Sequence, residues 1–256
     1  YLLPLSQHTL LAGCIRENCR VVSIGKRHLW KRDAIGKPSR LASPFQVLIE
    51  TKANEEEIVE ADYVFDCSGT FGNHNWLGDG GIPAVGERKL ANRIDYCLPD
   101  VAFKDRQRFA GKRVLVAGSG YSAATAVVSL SELIKQDART EVFWLTRSGN
   151  ETPLAIIDSD VLQGRADLTT AANALAAESG SGVTWLGGAS VQQLSTDDQN
   201  RLQVRIEAKT EQGGRECKVL AVDHVIANVG YRPDRSLYQE LQIHECYASQ
   251  GPMKLA

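Results

Sequence analysis

Residues 114–126, V-L-V-A-G-S-G-Y-S-A-A-T-A, constrain the fold more than any other stretch of the chain. Four apolar residues suit a buried parallel strand, and Gly118 lets the backbone turn where a side chain would clash. Gly120 leaves room for close approach of a pyrophosphate, and Ala123, in place of a third glycine, keeps the following helix tight against the strand. The unpaired N–H groups and positive dipole end of that helix suit a dinucleotide phosphate. Gly-x-Gly-x-x-Ala alone is a weak signal. Here it has its expected context: a strand before it, a helix over 122–135 after it, and a second strand over 141–146. Gly118, Ser119, Gly120, Tyr121, Ser122 and Ala123 are therefore the candidate phosphate-binding residues.

The residue after the second strand selects the nucleotide. A carboxylate there would bind the adenosine ribose of NAD and repel a 2'-phosphate, but this strand runs into Thr146, Arg147 and Ser148. The guanidinium of Arg147 is a fixed fork of donors that matches phosphate oxygens, and the Ser148 hydroxyl is a further donor. The arrangement favours NADPH over NADH.

An internal repeat sets the organisation. Residues 61–69 read A-D-Y-V-F-D-C-S-G and residues 222–230 read V-D-H-V-I-A-N-V-G, with Asp62 to Gly69 and Asp223 to Gly230 spaced identically. What precedes each copy also matches. Before the first come a helical stretch over 6–14, a strand over 20–24 and β-prone runs over 45–51 and 57–59. Before the second come an alanine-rich helix over 167–179, a strand over 183–186 and alternating runs over 190–194, 202–209 and 216–220. Two copies of one unit imply two nucleotide-binding domains. Only the second copy carries its glycine-rich opening within the sequence, so the chain reads as an interior piece of a longer protein, with about a hundred residues expected before Tyr1 from the usual size of such a half-domain.

These motifs resemble, in order along nearly the whole chain, the flavoproteins with two dinucleotide-binding domains, and within them are most similar to the flavin-containing monooxygenase branch. Cys67-Ser68-Gly69-Thr70 is similar to the Ala-Thr-Gly-type motif that ends the first flavin-domain segment. Arg93-Ile94-Asp95-Tyr96 falls where the family has a His-x-x-x-Tyr-like stretch. Gly118 to Ala123 fits its Gly-x-Gly-x-Ser-Gly/Ala form, and residues 228–234, N-V-G-Y-R-P-D, resemble its Ala-Thr-Gly-Tyr-x-Pro-Asp segment. Asn228 departs from the small residue or threonine usual there. The resemblance implies an α/β fold in which a three-layer, Rossmann-like NADP-binding domain (residues 108–224) is inserted into an incomplete FAD-binding domain (residues 1–107, with a return segment at 225–256). It implies FAD and NADP as cofactors, with Ser68, Gly69, Thr70, Asn228 and Gly230 as further cofactor-binding candidates, Gly69 and Gly230 forming the two crossings between domains. It places the FAD glycine turn before Tyr1 and the closing flavin contact after Ala256, so this chain alone is expected to hold FAD weakly and to be catalytically silent.

The activity implied is NADPH- and FAD-dependent oxidation, as a monooxygenase acting on a nitrogen, sulfur or carbonyl centre of a small molecule. The alternatives are a reductase of the same architecture serving a disulfide, quinone or ferredoxin, and a non-catalytic NADP(H)-sensing module. No Cys-x-x-Cys precedes Gly118, which lowers the disulfide reading. Cys14 and Cys19 have the spacing of one reductase branch but sit at a helix end running into a strand. Cys67 and Cys217 read as reduced core or edge residues in a cytoplasmic setting. The scattered histidines form no metal-ligand spacing, and no Gly-x-Ser-x-Gly or Gly-x-x-x-x-Gly-Lys motif occurs. A net charge of -2 gives no reason to expect nucleic acid or anionic membranes as partners, and no apolar run approaches the roughly 20 residues needed to span a bilayer. In related folds the loop carrying His74, Asn75 and Trp76 lies near the nicotinamide passage, although a loop tryptophan more often packs than functions.

Overall fold

A computed structural model describes residues 2–210, 213–248, 250–251 and 253. The chain divides into two compact units, residues 1–73 with 232–256, and residues 74–231.

In the first unit, α1 (Leu2–Ser6) and a 3-10 turn (Thr9–Leu11) precede β1 (Cys19–Lys26), β2 (Phe45–Thr51) and β3 (Glu56–Ala61), an antiparallel sheet in the order β1-β2-β3. Alternation along β2 sends Val47 and Ile49 to one face, where they join Ile24 in a small core backed by Phe45, Val59, Val64 and Leu241. The helix expected over 6–14 is broken instead: Leu10 is 82% exposed, so the segment buries no apolar face that would hold a longer helix.

The second unit holds β4 (Ile94–Asp95), α2 (Arg106–Phe109), β5 (Arg113–Ala117), α3 (Tyr121–Ile134), β6 (Glu141–Thr146), α4 (Gln163–Ala177), β7 (Val183–Gly187), β8 (Ala189–Thr196), β9 (Leu202–Lys209), β10 (Arg215–Val222) and β11 (His224–Ala227). Five of these strands form a sheet in the order β4-β11-β5-β6-β7, all parallel in their ladders. Strands β8, β9 and β10 form a separate antiparallel meander. The side-chain period of two along β5 explains the layering. Val114 and Val116 face α3 and α4, packing with Ala124, Val127, Leu130 and Ala172, while Leu115 and Ala117 face the meander residues Val191, Val204 and Ile206. Helices, parallel sheet and meander make the three expected layers. Each fully buried Val, Leu or Ile contributes about 2 kcal/mol, which makes this double-sided sheet the rigid part of the unit.

Two expectations are corrected. The domain boundaries at 107/108 and 224/225 do not coincide with the division of the structure. Ile94 pairs with Val225 and Asp95 with Ile226, so residues 74–107 and 225–231 belong to the unit with the glycine turn. The sequence reading opened the domain at the strand before Gly118, and a two-residue edge strand gives no periodic signal that could move the boundary. The repeat also diverges. In the second copy, His224–Ala227 is a strand held between β4 and β5. In the first copy, residues 62–68 form no strand, and Tyr63 and Phe65 are 82% and 86% exposed. A central parallel strand needs hydrogen-bonded neighbours, and none pairs with this segment among the described residues. Cys67 is exposed as well, and Cys217 is exposed on the edge strand β10, so neither is a core residue. The parts of the return segment at 249, 252 and 254–256 lie outside the described residues. No helix among them is long and apolar enough to cross a membrane.

His224, at the start of β11, packs edge-on to Phe109 at 5.0 Å between ring centroids. Burial, and then the nearby Arg108 cation, push its imidazole pKa down, against weaker upward pulls from Asp95 and Asp223. A histidine kept neutral in the folded state binds fewer protons than it does unfolded, so stability is full above its unfolded pKa of about 6.5 and falls as pH drops through that value towards the lowered folded one. The second unit is expected to lose stability on acidification from pH 7 to 5, and His224→Phe is expected to flatten that slope. Denaturant midpoints across this range check it; identical slopes for both proteins would contradict it.

Candidate nucleotide-binding site

The glycine turn between β5 and α3 opens into a cavity of about 570 Å³ lined by Gly118, Ser119, Gly120, Tyr121, Ser122 and Arg147, with residues of the 75–77 and 228–231 segments on its other walls. Gly118 has φ +134, and a Cβ added there would lie 2.2 Å from the carbonyl oxygen of Asn228. Two backbones therefore touch at this point, and only glycine fits. The turn is held by buried groups: Gly118 N donates to Leu145 O at 2.9 Å, and the indole N–H of the fully buried Trp144 donates to Gly118 O at 2.8 Å. Gly120 differs. Its φ is -96 and a Cβ there would meet nothing within 4 Å, so the chain's own packing does not require glycine at that position. No side chain caps α3, which leaves its first-turn N–H groups and dipole for an anion.

Arg147 is placed by the end of β6. The Thr146 hydroxyl accepts from the Trp185 indole N–H at 3.0 Å and donates to Ser148 O at 2.9 Å, which fixes the backbone on either side of Arg147. The Arg147 guanidinium is exposed and makes no ion pair or hydrogen bond among the described residues. An unpaired cation beside an uncapped helix N-terminus suits a ligand that is anionic at more than one point.

The other wall comes from residues far apart in sequence. His74 bridges to Tyr231, and Asn75 N donates to Gly230 O at 2.9 Å, which brings Asn75, Trp76 and Leu77 against Asn228, Val229 and Gly230. Behind this wall the Tyr96 ring stacks on His74 at 3.4 Å, and the Tyr231 hydroxyl donates to Tyr96 O at 2.8 Å. Glu87, with no solvent exposure, anchors the assembly. Its carboxyl accepts from Leu77 N, Ala84 N and the Tyr96 hydroxyl, each at 2.8 Å. Burial, reinforced by the hydrogen bond to Glu87, holds the Tyr96 phenol well above its ordinary pKa.

The cavity thus gathers Gly118, Ser119, Gly120, Tyr121, Ser122, Arg147, Asn228 and Gly230 of the expected set. Ala123 is fully buried beneath the turn, its Cβ in ordinary contact range of where a Gly118 Cβ would stand, which is the close-packing part assigned to it. Ser148 does not line the cavity; its carbonyl accepts from the Thr146 hydroxyl and its hydroxyl oxygen from Asn150 N. Ser68, Gly69 and Thr70 belong to the other unit, in an exposed turn where Ser68 bonds to Asp66. Sequence reasoning singled out the loop of His74, Asn75 and Trp76 without assigning a contact, and assigned no role to Glu87 or Tyr231. The available signal was the unusual run His74-Asn75-Trp76, since nothing local marks Glu87 as buried.

No family model and no curated protein matches the sequence. Solved structures do. A thioredoxin reductase from T. acidophilum is similar over 91% of this chain and 59% of its own, with 22% identity and a TM-score of 0.56. DfoA, the FAD-bound cadaverine monooxygenase of Erwinia amylovora, is similar over 92% of this chain and 58% of its own, with 13% identity and a TM-score of 0.61. The ornithine hydroxylase PvdA of Pseudomonas aeruginosa is similar over 87% of this chain and 56% of its own, with 14% identity and a TM-score of 0.54. The chain spans less than three-fifths of each. It has the fold of these two-dinucleotide-binding-domain flavoproteins, as the sequence resemblance implied.

Proposed function

We propose that this chain carries the NADP-binding part of an FAD-dependent oxidoreductase and that the nucleotide lies in the cavity at the glycine turn. The observation that supports it most is the convergence of the Gly118–Gly120 cradle, the uncapped start of α3 and the unpaired Arg147 on one cavity. The residues fit the group. The first-turn N–H groups of α3 and the Ser122 hydroxyl hold the pyrophosphate, Gly120 admits it, and Arg147 pairs with the 2'-phosphate. Trp144 and Leu145 keep the cradle rigid, so little ordering is left to be done on binding. When bound, NADPH supplies a hydride equivalent. The chain's part is to fix the nucleotide's orientation and, with Trp76 and Tyr231, to shield one side of it from water.

For the flavin the fit is partial. Among the described residues of the first unit, no strand leads through a glycine turn into a helix, and residues 68–70 lie in an exposed turn. No step is routed through the flavin for that reason. At the level of reaction we favour a monooxygenase acting on a small molecule over a disulfide-directed reductase, because the sequence holds no Cys-x-x-Cys pair. Substrate-linked oxygen uptake by the whole protein with NADPH tests this choice; electron transfer to an added acceptor without oxygen incorporation would favour the reductase.

Replacing Arg147 by alanine is expected to weaken NADP-type ligands by about 1–3 kcal/mol, the scale of a charge-assisted pair, and to leave NAD-type ligands nearly unchanged. Calorimetry giving equal losses for both nucleotides would remove the assignment.

A further inference from the structure

Asn228 stands where the resembling family carries a small residue or threonine, and its surroundings give the difference a meaning. Asn228 lines the cavity with Gly118, Ser122 and Arg147, yet is only 9% exposed. Its Oδ1 is shielded from solvent and accepts no hydrogen bond among the described residues. Its backbone is restrained, because the preceding strand β11 is paired with β5 up to Ala227. Asn75 Nδ2 on the facing wall donates to Val229 O, and the Trp144 indole N–H donates to Gly118 O, neither to Asn228. A shielded amide oxygen without a donor costs folding free energy that a small or apolar residue would not.

We propose that Asn228 is a specificity-determining residue of this cavity, its amide oxygen accepting a hydrogen bond from a neutral donor on the nucleotide, a hydroxyl or a carboxamide N–H. The proposal rests on the reading of the cavity as a nucleotide site. Phosphate oxygens are acceptors and cannot satisfy Oδ1, so the partner is on a nucleoside portion of the ligand. Division of labour follows from donor type. Arg147 and the helix N–H groups meet the anionic oxygens, and Asn228 meets a group that donates. A ligand carboxamide would serve both ends of the side chain, donating to Oδ1 and accepting from Nδ2.

The test compares wild type with Asn228→Leu, which keeps the shape and removes the amide, and with Asn228→Ala. Thermal melts are run without nucleotide, and calorimetry uses three ligands: NADP, its 3-acetylpyridine analogue, which lacks the amide N–H₂, and adenosine 2',5'-bisphosphate, which lacks the nicotinamide half. Expected are melting temperatures at or above wild type for at least one variant, together with affinity for NADP lower by roughly tenfold in both. A loss confined to NADP places the donor on the carboxamide. A loss shared with the analogue alone places it on the nicotinamide ribose, and a loss with all three places it in the adenosine half. Unchanged affinity for every ligand, or lowered melting temperatures in both variants with no loss of affinity in the folded protein, would overturn the proposal. A wild-type chain that binds none of the three overturns the nucleotide reading itself.

Discussion

Replacing Gly118 by alanine is expected to destabilise the second unit by about 3 kcal/mol or more, whereas the same change at Gly120 is expected to leave stability within about 1 kcal/mol of wild type. Both glycines belong to one motif, but they do different physical work. At Gly118 the backbone has φ +134, and the added methyl would sit 2.2 Å from Asn228 O and 2.9 Å from its carbonyl carbon. Those atoms directly follow β11, which is paired with β5 from His224 to Ala227, so relief would strain the sheet at its centre. At Gly120 the methyl enters open space on the cavity side. Its cost falls on the ligand: Gly120→Ala should fold like wild type and lose affinity for NADPH, because the methyl occupies the approach of the pyrophosphate. Denaturant titrations of both variants, with calorimetry on the second, check the pair. Equal stability losses would contradict the division of roles.

Glu87→Ala is expected to cost about 3 kcal/mol or more, since it strands two backbone N–H groups and a phenol, each an unsatisfied donor worth about 1–3 kcal/mol. The carboxyl has no solvent exposure, and water cannot readily replace it at Leu77 N, Ala84 N and Tyr96 OH. Glu87→Gln keeps one of the two acceptor oxygens and should lose less; Tyr96→Phe removes a single donor and should lose least. The consequence for the cavity runs through the loop. Leu77 follows the wall residues Asn75 and Trp76, and Tyr96 supports His74 and Tyr231. Hydrogen exchange at the Leu77 and Ala84 amides should therefore quicken in Glu87→Ala. A variant that retains both its stability and its slow exchange at those amides would remove Glu87 from this role.

Much of the fold was legible because its signals are local. The runs over 45–51, 141–146 and 202–209 coincide with β2, β6 and β9, and the glycine turn lies between β5 and α3 as its spacing required. Half of the site was legible for the same reason: Gly118, Gly120, Ser122 and Arg147 each follow from their place on one strand–turn–helix–strand unit. The other half depends on pairing across the chain. Asn75 meets Gly230 through a bridge between His74 and Tyr231, and no periodicity announces it. The repeat shows the same limit from the other side. Asp62 and Asp223 head identically spaced segments, but among the described residues only the second meets strand neighbours, with Asp223 Oδ2 also accepting from Arg113 N at 2.9 Å. Spacing alone carries the propensity of a strand; partners decide whether one forms.

The proposed function depends on the nucleotide lying at the glycine turn. A backbone-amide NMR titration of the chain with NADPH is the most direct measurement. Saturable shifts are predicted to be largest at the amides of Ser119, Gly120, Tyr121, Ser122 and Ala123, with a second group at Arg147 and at Asn228, Val229 and Gly230, and to be absent in Gly120→Ala at the same concentrations. Shifts that spare the glycine turn, or that persist unchanged in Gly120→Ala, would contradict it.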